Sequence, residues 1–196
     1  MKYDKLKTKD IITVVLMSLI NIFLFGFSSF FYFNPITILL MPVYFALVHG
    51  VVYFMLGVTV PKRGAILIYC LIQAVVTFNI PYILCYLAAG LLAEVMVARM
   101  GYGNPKALTW SYVVVQIFNC LGSTIYPYAL TLNATLARLP AEGGSVNGRY
   151  ILEAGTMIQS WGSLVLLAVV VLCALAGAAF GKNVACKHLR KKKAKA

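Results

Sequence analysis

Acidic side chains are scarce in this chain: 5 Asp and Glu stand against 17 Lys and Arg in 196 residues. Charged residues of both signs make up only 11%, against about 25% in an average soluble domain. With so few carboxylates, no pair falls inside an apolar stretch, which removes the usual acid/base and metal-dependent hydrolytic arrangements. No G-x-x-x-x-G-K-[ST] run is present to cradle a nucleotide. The five cysteines (Cys70, Cys85, Cys120, Cys173, Cys186) include no C-x-x-C pair and are odd in number, so neither a zinc site nor a disulfide framework is indicated. They read as small buried hydrophobes. An intramembrane serine protease needs a serine followed by a histidine on a later span, whereas His49 precedes Ser123, Ser160 and Ser163. Enzyme activity is not expected. Linkers and internal repeats are absent as well, so the chain reads as one unit.

What is there is apolar. Hydrophobic residues reach 62%, with 12 Tyr and 11 Phe, and a membrane span needs about 20 of them in a row. Punctuation by Pro, Gly, Asn and charge predicts six spans: Ile11 to Phe31, Ile36 to Val60, Ala65 to Phe78, Pro81 to Ala98, Ala107 to about Leu132, and about Gly155 to Phe180. The third, with 14 residues, is short and reads equally as a tilted or re-entrant segment. The expected fold is an all-α integral membrane protein, a compact bundle of six transmembrane helices over residues 1–183 with a basic tail at 184–196. The first run is too long for a signal-peptide core and lacks a small-residue cleavage site.

Basic residues near span ends mark the cytoplasmic side. With six spans, 15 of the 17 Lys and Arg fall on one face, at the amino end, at Lys62 and Arg63, at Arg99 and Lys106, and in the tail. Only Arg138 and Arg149 fall on the other, balanced by Glu142 and Glu153. Both termini are therefore predicted in the cytoplasm, in a plasma membrane. The tail "KHLRKKKAKA" carries no nucleic-acid recognition module, and at a membrane surface each basic residue gains about 1 kcal/mol from anionic lipid. Between the fifth and sixth spans lies "ARLPAEGGSVNGRYILEAG", either a flexible gate around Arg149 or a solvated connection.

Ionisable groups at membrane depth are default functional candidates. Glu94 sits late in the fourth span, where an interfacial ion pair with Arg99 and Lys106 is the expected structural reading. His49, mid-span without a neighbouring carboxylate, reads as hydrogen-bonded inside the bundle, with a haem or metal ligand as the alternative. Neutral polar residues are more suggestive. Asn79 and Tyr82, Asn119 and Tyr126 (with Thr124 and Tyr128 beside them), and Gln159 and Trp161 (with Ser160 between them) bring amides and aromatic hydroxyls to the outer level from several segments. Such a set suits a pocket with apolar walls and a few oriented hydrogen-bonding groups. Tyr and Trp also gather at membrane interfaces, and amides also bond helix to helix. Ala46 with Gly50, Ala89 with Ala93, and Gly177 with Gly181 have small-x-x-x-small spacing, which places both members on one helical face for close packing, within the bundle or against a partner.

The opening "KLKTKDII", the stretches "MPVYFAL", "PKRGAIL" and "GLLAEVM", and the end "GAAFGKNVACKHLRKKKAKA" resemble the Trep_Strep group of substrate-binding S components of energy-coupling factor (ECF) transporters. The resemblance implies a subunit that captures a micronutrient, vitamin-like or a tetrapyrrole, from outside. It implies as partners a transmembrane coupling subunit and two cytoplasmic ATPases, and no cofactor of the chain's own. The pocket would fall on Asn79, Tyr82, Asn119, Tyr126, Gln159 and Trp161. Such proteins dock the coupling subunit through an Ala-x-x-x-Ala face on the first span. Here that region has no alanine and offers Thr13, Ser18 and Gly26 in its place, so Ser18, Ala46, Gly50, Ala89 and Ala93 are the expected substitutes. A different class of function, a non-transporting scaffold that recruits a cytoplasmic protein or anionic lipid through the tail, remains open.

Overall fold

The computed structural model describes residues 5–77, 79–138, 148–159 and 161–193, with side chains to residue 187. Residues 139–147 of the expected gate loop, Ser160 and the last three residues lie outside the described part, as do the tail side chains beyond 187. All regular structure among the described residues is helical: α1 (Thr8–Gly26) with a 3₁₀ continuation (Phe27–Phe33), α2 (Pro35–Thr59), α3 (Ala65–Val76), α4 (Ile80–Met100), α5 (Pro105–Cys120) with a π-helical continuation (Leu121–Leu130), α6 (Leu132–Leu136), α7 (Gly148–Ile158) and α8 (Trp161–Lys193). Five segments are long and apolar enough to cross a membrane: 8–33, 35–59, 80–100, 105–130 and 161–187. The third expected span is α3, whose 12 residues rise only about 18 Å, against a hydrocarbon core of about 30 Å.

The helix starts follow the Asn-Pro punctuation. Asn34 caps α2 by accepting the Thr37 N–H at 2.9 Å, with Pro35 in the first turn. Asn104 accepts the Lys106 N–H at 3.0 Å ahead of Pro105. In each case the side chain takes up an orphan amide and the proline sits where no N–H is needed. Within the fifth span Pro127 has no N–H to give and crowds the preceding turn, and the helix there widens to the π form. The Thr131 N–H reaches the Tyr126 carbonyl at 2.9 Å, and the Thr135 hydroxyl takes up the Pro127 carbonyl at 2.8 Å.

The sixth apolar run is where the expected boundary moves. Gly155 belongs not to the long last helix but to α7, a separate amphipathic helix that buries Ile151, Ala154, Gly155 and Ile158. A Cβ on Gly155 would come within 2.7 Å of the Tyr128 carbonyl, so α7 lies flush on the π segment. The crossing helix starts at Trp161 and continues to Lys193. At about 1.5 Å per residue it is about 50 Å long, and the basic tail is its helical extension.

α2 and α8 share the most extensive helix pairing. Gly177 lies against the carbonyls of Ala46 and Leu47, and Gly181 against that of Gly50. These contacts advance together along both chains, so α2 and α8 run in the same direction. The Lys62 ammonium pairs with the Asp10 carboxylate at 2.7 Å, which brings the start of α1 to the end of α2. The start of α1 and the end of α8 thus lie at one end of the bundle, with Lys62, Arg63, Arg99 and Lys106.

Candidate functional site

α1 is polar on its inner side. Its buried residues are Val14, Ser18 and Asn21, with Ser28 following in the 3₁₀ turn, while Ile12, Leu16, Leu19 and Phe23 face outward, Phe23 70% exposed. Ser18, Asn21, Phe25, Ser28 and Tyr32 fall at alternating steps of three and four, one stripe of a helix. Against this stripe the end of the bundle away from both termini leaves a cavity of about 150 Å³, lined by Phe25, Ser28, Tyr32, Met41, Thr77, Asn79, Tyr82, Gly122 and Ser123. A larger hollow of about 540 Å³ on α3 is lined by Leu71, Ile72, Val75 and Val76 alone and offers no group to orient a solute.

Tyr82, one of the lining residues, is held by a hydrogen-bonded chain behind it. The Tyr82 hydroxyl donates to Asn119 Oδ1 at 3.2 Å, and Asn119 Nδ2 donates to Gln116 Oε1 at 3.1 Å. Tyr82, Asn119 and Gln116 are all at most 5% exposed, and Tyr82 leans on Tyr86 with ring centroids 4.9 Å apart. Gly122 lets the π segment approach α4, since a Cβ there would stand 3.2 Å from Tyr82 Cα. The hydroxyl of Tyr32, another lining residue, meets that of Tyr128 at 3.4 Å. Asn79 occupies the cap position of α4 without making the cap bond, which leaves its amide to the cavity.

Of the six expected pocket residues, the structure therefore brings three together: Asn79 and Tyr82 line the cavity and Asn119 backs it. The other three lie elsewhere. Tyr126 is 39% exposed on the outer side of the π segment, and Trp161 is 79% exposed at the start of α8. Gln159 borders a surface hollow with Ala129 to Ala134. Arg149 bonds Glu153 at 2.9 Å on the exposed side of α7. Phe25, Ser28, Tyr32, Met41 and Thr77 were not foreseen, although the stripe from Ser18 to Tyr32 was there to be read. As it stands, the cavity is below the 300–1,000 Å³ usual for drug-sized ligands, and a tetrapyrrole does not fit it.

Two further expectations change. Ser18, Ala46, Ala89 and Ala93 are fully buried, and Gly50 is buried too. Ser18 bonds the Val14 carbonyl at 2.9 Å and receives the Gln73 amide on its own carbonyl at 3.0 Å. Ala46 and Gly50 pack on α8. These five residues hold the bundle together and present no face to a partner. Glu94 forms no ion pair with Arg99 or Lys106 among the described residues. Its Oε1 accepts the Gly64 N–H at 2.6 Å and the Tyr102 hydroxyl at 2.8 Å. His49 is bonded inside the bundle, with Nδ1 3.3 Å from Asn21 Nδ2.

The apolar helix lengths and the exposed apolar exterior define a multi-pass integral membrane protein. The family model described as hypothetical bacterial integral membrane protein (Trep_Strep) matches residues 8–191, and the chain belongs to that family. Comparison with curated proteins and with solved structures returns no match.

Proposed function

We propose that the chain is the solute-binding membrane subunit of an ECF-type importer, one that takes up a small, uncharged, vitamin-like solute and performs no chemistry on it. The observation that carries this reading is the cavity lined by Asn79 and Tyr82, with Tyr82 held from behind by the Asn119 to Gln116 chain, at the bundle end opposite Lys62, Arg63, Arg99 and Lys106. Apolar rings with a few fixed donors and acceptors, and no charge, suit a neutral solute. Uptake in this reading is driven by a coupling subunit and two ATPases at the cytoplasmic face, where the tail contacts anionic lipid. The continuation of α8 as helix to Lys193 supports the second reading, a scaffold that recruits partners through that tail. Deleting residues 187–196 separates the two: solute binding survives in a subunit of an importer, and recruitment is lost in a scaffold.

Native mass spectrometry of the purified protein is expected to show a co-purified small molecule. Asn119→Ala, which removes the acceptor of the Tyr82 hydroxyl and the donor to Gln116 Oε1, should weaken its retention about tenfold. Trp161→Ala, far from the cavity, should leave it unchanged. Equal retention in both variants rejects the cavity as the binding site.

Orientation has its own test. Cys186 is exposed on the helical tail, and Arg149 is exposed at the opposite end. A membrane-impermeant maleimide applied to intact cells is expected to label Arg149→Cys and to reach Cys186 only after permeabilisation. The reverse pattern would place the cavity in the cytoplasm and end the importer reading.

A further inference from the structure

One turn deeper than the cavity, α1 and α2 hold a second polar site. Phe25, which lines the cavity, stacks on Phe45 with centroids 5.3 Å apart, and Phe45 stacks on His49 at 4.8 Å. Asn21 precedes Phe25 by one turn of α1, and His49 follows Phe45 by one turn of α2. The two helices run in opposite directions, so the Asn21–His49 pair forms the next layer inward. Asn21 is fully buried and His49 only 3% exposed. Their mutual bond uses one function of each, and neither Asn21 Oδ1 nor His49 Nε2 has a partner among the described residues. With imidazole Nδ1 accepting from the amide, Nε2–H is a free donor and Oδ1 a free acceptor. With the amide turned over, Nε2 becomes the acceptor and the amide N–H the donor. Either way the pair offers one donor and one acceptor, in a bilayer interior where unmet polar groups are costly.

We propose that Asn21 and His49 form an inner binding site for a small neutral solute that carries both a hydrogen-bond donor and an acceptor, as an amide does, with the Phe25–Phe45 stack as the partition between this site and the cavity. The proposal rests on the solute-binding reading of the cavity and adds the chemistry of what is bound. The absence of a charged group in the pair disfavours ions. The stack closes the site to water until a solute ring displaces Phe25 from Phe45.

The chain has two histidines, His49 and His188, so His188→Gln leaves His49 as the sole reporter in ¹⁵N-histidine-labelled full-length protein in lipid nanodiscs. The probes are 2-pyridone, which has an adjacent N–H and C=O, and N-methyl-2-pyridone, which has lost the donor. Saturable movement of the His49 ring nitrogens by 2-pyridone and not by its N-methyl form is expected. Asn21→Ala should weaken the response about fivefold, the loss of one hydrogen bond. Phe25→Ala, which opens the partition without touching the pair, should keep the selectivity and strengthen the response. Ring nitrogens unmoved in both the parent and Phe25→Ala, or an equal response to both pyridones, overturns the inner site. An Asn119-dependent co-purified solute with an unmoved His49 overturns the inner site and leaves the importer reading standing. A selective His49 response in a protein with no such solute upholds the inner site and removes the cavity from the importer reading.

Discussion

Gly177→Ala is expected to lower the unfolding temperature in detergent by roughly 5–10 °C, the equivalent of about 3 kcal/mol in a chain of this size. A methyl group at Gly177 would run into the Ala46 carbonyl and stand 2.8 Å from that of Leu47. At Gly50 and Gly181 the obstacles are likewise backbone atoms of the facing helix. Backbone cannot rotate out of the way as a side chain can, so α2 and α8 would have to separate along the pairing that contributes most to the bundle. Without water in the membrane core, such close packing is itself a main source of helix association. Gly26→Ala is the matched control. Nothing lies within 4 Å of a Cβ there, and a helical glycine replaced by alanine gains up to about 1 kcal/mol. Thermal unfolding followed by tryptophan fluorescence decides between the two, and equal midpoints would show that the α2–α8 approach is not what limits stability.

The same three glycines show why part of the sequence could be read and part could not. Small-x-x-x-small spacing at Ala46 and Gly50, and again at Gly177 and Gly181, correctly marks faces made for close approach. Spacing within one helix carries no information about which helix comes near. These two faces meet each other, and a surface that fits its own chain so closely is no longer on offer to a coupling subunit. Asn34-Pro35 and Asn104-Pro105 were legible as helix starts because capping is local. The α7–α8 boundary was not, because Met157 and Ile158 prolong an apolar run that the chain folds into two helices. Asn79 and Tyr82 were singled out by residue type and shared level, and both line the cavity. Their partners on α1 were missed because α1 is apolar overall, and its polar stripe of Ser18, Asn21 and Ser28 occupies only the narrow side that α2 and α3 cover.

Glu94→Leu is expected to cost about 2–4 kcal/mol, while Glu94→Gln retains more than half of the wild-type contribution. A single oxygen, Oε1, receives the Gly64 N–H at 2.6 Å and the Tyr102 hydroxyl at 2.8 Å. It thereby fastens the turn between α2 and α3 to the turn between α4 and α5. Both turns depend on glycines at positive φ, Gly64 at +89° in the first and Gly101 and Gly103 at +101° and +77° in the second, conformations that other residues adopt only at a cost. The first is also fastened to α1, since Lys62 pairs with Asp10 and the Asp10 carboxylate accepts the Lys7 N–H at 2.8 Å. Leucine keeps the volume of Glu94 but leaves a backbone donor and a phenol without their acceptor, the costly direction of a hydrogen-bond change. Glutamine still presents an oxygen to both. Amide exchange distinguishes this clamp from simple packing: the Gly64 amide should be protected in wild type and Glu94→Gln and exchange freely in Glu94→Leu. Protection of Gly64 in all three would mean that the turn is held by its neighbours and that Glu94 serves some other purpose at the basic end of the bundle.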